Sequence, residues 1–106
     1  MAGTVLTELE TSKLILERIQ KYFQAKRHHQ YWLEVVNNQY LHEYNWFIEV
    51  VNPLTYEHSI PLHSITKQDL TYLERVVGLV KQENHLTIKY RHFDGLVWPI
   101  SQKKIR

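Results

Sequence analysis

Apolar positions along the chain change their period several times, and each change marks a structural element. Leu9, Leu16, Ile19 and Phe23 recur at helical spacing behind Thr7 and Glu10, a Thr-x-x-Glu capping pattern, and predict a helix over about residues 7 to 27. Lys13, Glu17 and Lys21 follow one another at four-residue steps and form its solvated side. From Gln30 to Ile60 the pattern becomes that of strands. β-Branched and aromatic residues crowd into Tyr31-Trp32-Leu33-Glu34-Val35-Val36 and Trp46-Phe47-Ile48-Glu49-Val50-Val51. Residues 37–44 between them fit either a loop or a helix end. Asn52-Pro53-Leu54-Thr55 has turn chemistry, so Tyr56 to Leu62 is expected to return as a third strand. Pro61 has no amide hydrogen for a ladder and marks an edge or a strand end.

Thr66 with Asp69 repeats the capping pattern, and Leu70, Leu73, Val77 and Val80 form one stripe behind it, which predicts a helix from 67 to about 82. Gly78 inside that helix costs about 1 kcal/mol relative to Ala, so it marks either close packing on a neighbour or a tolerated position. Asp94-Gly95, between Leu86–Phe93 and Leu96–Ile100, predicts a type I′ turn joining two final strands. The resulting order is α-β-β-β-α-β-β. It describes an α+β fold, a single domain over residues 7–102 with a mainly antiparallel sheet, two helices packed on one face, and flexible tails at 1–6 and 103–106. Helix, three strands and helix over residues 7 to 82 is also the order of double-stranded-RNA-binding domains. Those domains open their second helix with a cluster of lysines, where this chain has Lys67 beside Gln68 and Asp69, so no function is carried over from the shared order.

Composition narrows the chemistry. At 106 residues, 43% hydrophobic and 23% charged, the chain has the size and apolar content of one domain with one core. It has no cysteine, which excludes disulfides, thiolate zinc sites, iron–sulfur ligation and thiol nucleophiles together. The net charge is only +2. Basic residues concentrate at Lys26-Arg27-His28-His29 and at Lys103-Lys104-Ile105-Arg106, the pattern of a solvated helix end and a tail. Met1 to Glu8 lack the basic start of a secretory signal, and no apolar run approaches the ~20 residues of a membrane span. The expected setting is the cytoplasm, with no membrane partner.

Two surfaces carry the candidate function. Tyr31, Leu33 and Val35, with Trp46, Ile48 and Val50, are the expected core faces of the middle strands. Their reverse faces are not polar: Trp32, Val36, Phe47 and Val51 surround Glu34 and Glu49, a surface for a protein partner or a second copy of the chain. In the predicted hairpin, Phe93 lies opposite Leu96, Arg91 opposite Trp98 and Lys89 opposite Ile100. This puts Lys89, Arg91, Phe93 and Trp98 on one basic and aromatic face able to stack bases, with Lys26, Arg27, Lys103 and Lys104 as phosphate contacts. Glu34 and Glu49, at matching strand positions, are the pair from which an acid–base site would be built. The seven histidines include no three at ligand spacing, and no phosphate loop or nucleophile motif is present, so no metal or cofactor is expected. The expectation is a non-enzymatic binding module, a homo-oligomer or an accessory subunit that presents a sheet face or edge to a protein. A nucleic-acid-associated regulator is the second reading, and a small enzyme using Glu34 and Glu49 the third.

Overall fold

The computed structural model describes residues 6–23, 29–54 and 57–106. Its elements are α1 (Glu8–Tyr22), β1 (Gln30–Asn38), β2 (Glu43–Val51), β3 (His58–Ile65), α2 (Leu70–Glu83) and β4 (Ile88–Arg91). The four strands form one sheet in the order β3-β2-β1-β4, antiparallel except for the parallel pair β1 and β4, with both helices on one face. No helix among the described residues is long and apolar enough to cross a membrane.

Reciprocal capping opens α1, with the Thr7 hydroxyl accepting from the Glu10 amide at 3.1 Å and the Glu10 carboxylate accepting from the Thr7 amide at 3.0 Å. The helix ends at Tyr22, with Phe23 as its cap, and residues 24–27 of the longer expected helix lie outside the described residues. Its inward stripe is Thr11, Ser12, Ile15 and Ile19, whereas Leu9 is half exposed. Small side chains at positions 11 and 12 let α2 come close enough for the Tyr72 hydroxyl to meet Thr11 Oγ1 at 2.6 Å and donate to the Leu6 carbonyl at 2.7 Å. In α2, Asp69 is itself the cap, accepting from the Thr71 and Tyr72 amides, so the helix opens at Leu70 and not at 67. A Cβ on exposed Gly78 would meet nothing within 4 Å, so this glycine is not a close contact inside the chain.

β1 and β2 form a hairpin across a tight turn at residues 39–42, and residues 37–44 are therefore strand ends and turn. Asn38 Oδ1 accepts from the Leu41 amide at 3.1 Å, and His42 adopts φ 53°, as this turn requires. Leu33, Val35, Trp46 and Ile48 point to the helices and are fully buried with Ile15, Ile19, Leu73, Val76 and Val80. β3 extends beyond the expected Leu62 to Ile65. It tolerates Pro61 because β3 is an edge strand and a bulge falls there, where Phe47 pairs with Pro61 and Trp46 with His63. Tyr56, the expected first residue of this strand, lies outside the described residues.

The end of the chain departs most from expectation. Gly95 takes φ 79° and the Leu96 amide donates to the Phe93 carbonyl at 3.0 Å, closing a turn. Asp94 is not at positive φ, so the type I′ turn does not form and β4 pairs with β1 instead of with residues 96–100. In place of the expected last strand there is one isolated bridge, Val97 to Lys104. The expected loose tail is tied down: the Trp98 amide donates to the Lys103 carbonyl at 2.9 Å, the Ile105 amide to the Leu96 carbonyl at 3.1 Å, and Ile105 is buried. Glu74 on α2 clamps this segment by accepting from the amides of Ile100 and Ser101 at 2.6 and 2.9 Å. The driving force is burial. A two-stranded ribbon would hold Phe93 and Trp98 toward water, whereas the observed path puts both into the core beside Tyr90.

Candidate interaction face

Alternation along β1 and β2 sends every second side chain away from the helices. In register across the sheet, Trp32 lies beside Glu49, Glu34 beside Phe47 and Lys89, and Val36 beside Asn45 and Arg91. On β3, Ser59 flanks Glu49 and Pro61 flanks Phe47. The structure thus gathers Trp32, Glu34, Val36, Phe47, Glu49 and Val51 on one surface, and among the described residues no helix or strand lies over it. The four apolar side chains are half-buried against their neighbours, while Glu34 and Glu49 are only 8% and 2% exposed. The two glutamates are diagonal neighbours and not directly opposed, because Glu34 pairs with Phe47 and Glu49 with Trp32.

Their electrostatic settings differ. Glu34 accepts from Arg91 Nε at 2.8 Å and is compensated by that guanidinium. Glu49 accepts from the Ser59 hydroxyl at 2.5 Å, a neutral donor. Burial pushes the Glu49 carboxyl above its ordinary value; the Ser59 hydrogen bond opposes the shift, while a hydrogen bond with the Glu34 carboxyl and the charges of Glu34 and Glu57 reinforce it. Lys89 lays its ammonium over the Trp32 ring, 4.4 Å from the centroid.

The expected basic and aromatic face is divided. Lys89 and Arg91 lie on the open side of the sheet, engaged with Trp32 and Glu34. Phe93 and Trp98 are on the helix side, 2% and 9% exposed, with Phe93 stacked on Tyr44 at 5.8 Å and Trp98 edge-on to Tyr90 at 5.4 Å. Burial there pushes the Tyr90 phenol up to about 12. Of the expected phosphate contacts, Lys103 and Lys104 are exposed in the terminal bridge, and Lys26 and Arg27 lie outside the described residues. What sequence reasoning missed is the placing of Lys89 and Arg91 beside β1. The signal was available: a helix followed within a few residues by the alternating segment Ile88-Lys89-Tyr90-Arg91 is the pattern of a crossover into a parallel strand.

Elsewhere, a cavity of about 460 Å³ opens beside the β1–β2 turn between Asn38, Tyr40, His92 and Asp94. Another, of about 370 Å³, runs between the helices along Leu9, Leu16 and Leu79. Neither is lined by Glu34 or Glu49. Among the described residues no three His, Cys, Asp or Glu side chains converge as a metal site would require. Compared with protein-family models, curated protein sequences and solved structures, the chain matches none.

Proposed function

We propose that this chain is a small non-enzymatic interaction module that docks a protein partner on the open face of its sheet. One observation carries the proposal: a sheet with helices on one side only bears Trp32, Val36, Phe47 and Val51 on the other. Sheets with one solvated face ordinarily alternate apolar-in and polar-out, and an apolar cluster on the solvated side is the usual mark of a contact surface. A cytoplasmic setting agrees with this reading, since a chain without cysteine has nothing to oxidise into a disulfide and is at home in a reducing compartment. A nucleic-acid role is less well supported, because phosphates approaching Lys89 and Arg91 would meet Glu34 and Glu49 on the same surface. An acid–base role has a suitably raised carboxyl in Glu49, but neither of the two cavities described above is lined by it.

Capture from a cell lysate, with and without nuclease, tests the proposal when run on three forms of the chain. Wild type and Leu54→Ser, a change at a residue 91% exposed on the β2–β3 turn, should retain the same protein after nuclease treatment. Trp32→Ala should lose it, with affinity reduced at least about ten-fold. Retention that disappears with nuclease would transfer the function to nucleic acid, and equal retention by Trp32→Ala would remove this face from the interaction.

A further inference from the structure

We infer that the occupant of the open sheet face is a second copy of the chain, packed face to face about a two-fold axis parallel to the strands, with Lys89 of each copy paired to Glu49 of the other. The inference rests on the docking-face reading and specifies its partner.

Area sets the scale. Four strands about 4.8 Å apart, the longest nine residues at about 3.3 Å each, make a flat footprint of roughly 500 Å². Two such faces bury roughly 1,000 Å² before side-chain relief and the loop rims are added, close to the lower bound of about 1,200 Å² for stable pairs. A matching sheet fills this surface without leaving apolar margins. Two sheets whose strands run nearly parallel, stacked about 10 Å apart, form the ordinary sandwich.

Charge then selects the axis. A two-fold axis across the strands at the level of Glu34 would bring Glu34 against Glu34 and Lys89 against Lys89, and like charges in apposition are strongly unfavourable. An axis along the strands, between β1 and β2, sets β1 of one copy on β2 of the other. The register then puts Trp32 over the partner's Glu49 and Glu34 over the partner's Phe47. Lys89 already rests its ammonium on Trp32, 4.4 Å from the ring centroid, so this apposition delivers a cation to a carboxylate that is in no ion pair among the described residues. Symmetry makes the pair twice. Each glutamate of the face then has a basic partner: Arg91 within the chain for Glu34, Lys89 across the interface for Glu49.

Sedimentation equilibrium on wild type, Lys89→Glu, Glu49→Gln and the double variant tests this at neutral pH, with thermal melting as the check that each is folded. Lys89 is exposed, so its replacement should leave the fold intact. Wild type should dimerise, and Lys89→Glu should raise the dissociation constant at least about ten-fold. On the Glu49→Gln background the same change should cost no more than about three-fold, because the repelled carboxylate is gone. A wild type that stays monomeric at millimolar concentration would overturn the second copy as occupant, while Trp32-dependent capture of a different protein would leave the docking face standing. Equal penalties for Lys89→Glu on the two backgrounds would overturn the pairing.

Discussion

Glu49 is the residue whose surroundings suit it least. It is nearly inaccessible on a sheet face beside Trp32 and Phe47, and its hydrogen-bonding neighbours among the described residues are the neutral Ser59 hydroxyl and the Glu34 carboxyl. Its folded-state value lies above the ordinary carboxylate value of about 4.3, so the folded chain holds this proton more tightly than the unfolded chain. The stability this provides is fully present below the unfolded value and is lost as pH rises through the folded one, leaving the ionised group a liability at neutral pH. Glu49→Gln keeps an acceptor for Ser59 and removes the titration. Urea unfolding of the chain at concentrations dilute enough to keep it monomeric should therefore show the variant gaining on wild type between pH 4 and pH 7.5, and an unchanged or reversed difference would contradict the assignment. Tyr72 makes the opposite case, a polar group fully used: its hydroxyl bridges Thr11 and the Leu6 carbonyl. Tyr72→Phe should cost about 1–3 kcal/mol in thermal or urea unfolding, since buried Thr11 and the half-buried Leu6 lose their hydrogen bond.

At the level of elements, local signals succeeded where burial agreed with them. Leu33, Val35, Trp46 and Ile48 alternate in the sequence and alternate in the sheet, so β1, β2 and the side facing the helices could be read directly. The inner stripe of α1 could be read only in part: Ile19 is buried as its spacing implies, but the stripe also includes Thr11 and Ser12, residues that hydropathy assigns to water. Asp94-Gly95 is a strong hairpin signal, yet turn chemistry is decided within four residues and cannot register Tyr44, far along the chain, or Tyr90, just outside the turn on β4, which take Phe93 and Trp98 into the core. This outcome separates the two arrangements experimentally. Trp98→Ala should destabilise by about 3–5 kcal/mol, as for a large core side chain. Ile100→Ser, at a position 57% exposed, should change stability by no more than about 0.5 kcal/mol. Similar small effects at both sites would favour a solvent-facing ribbon.

For the molecule as a whole, the decisive feature is that its two helices share one side of the sheet. The apolar members of the open face were readable from strand alternation alone, since Trp32, Val36, Phe47 and Val51 fall at the positions opposite the core. The cations of that face needed more than alternation: their placement follows from β4 crossing over to pair in parallel with β1, more than fifty positions away, which the succession of α2 and Ile88–Arg91 signals without naming the strand that is joined. Sheet order therefore divides the basic and aromatic face expected from the sequence and sets its two cations at the border of the proposed docking face. Hydroxyl-radical labelling of Trp32 and Phe47 measures occupancy of that surface most directly, by comparing dilute purified protein with the same chain in concentrated cell lysate. Both side chains should be labelled when dilute and protected in lysate, while Tyr40, 96% exposed at the β1–β2 turn, is labelled equally in both. Equal labelling of Trp32 and Phe47 in the two conditions would contradict the account.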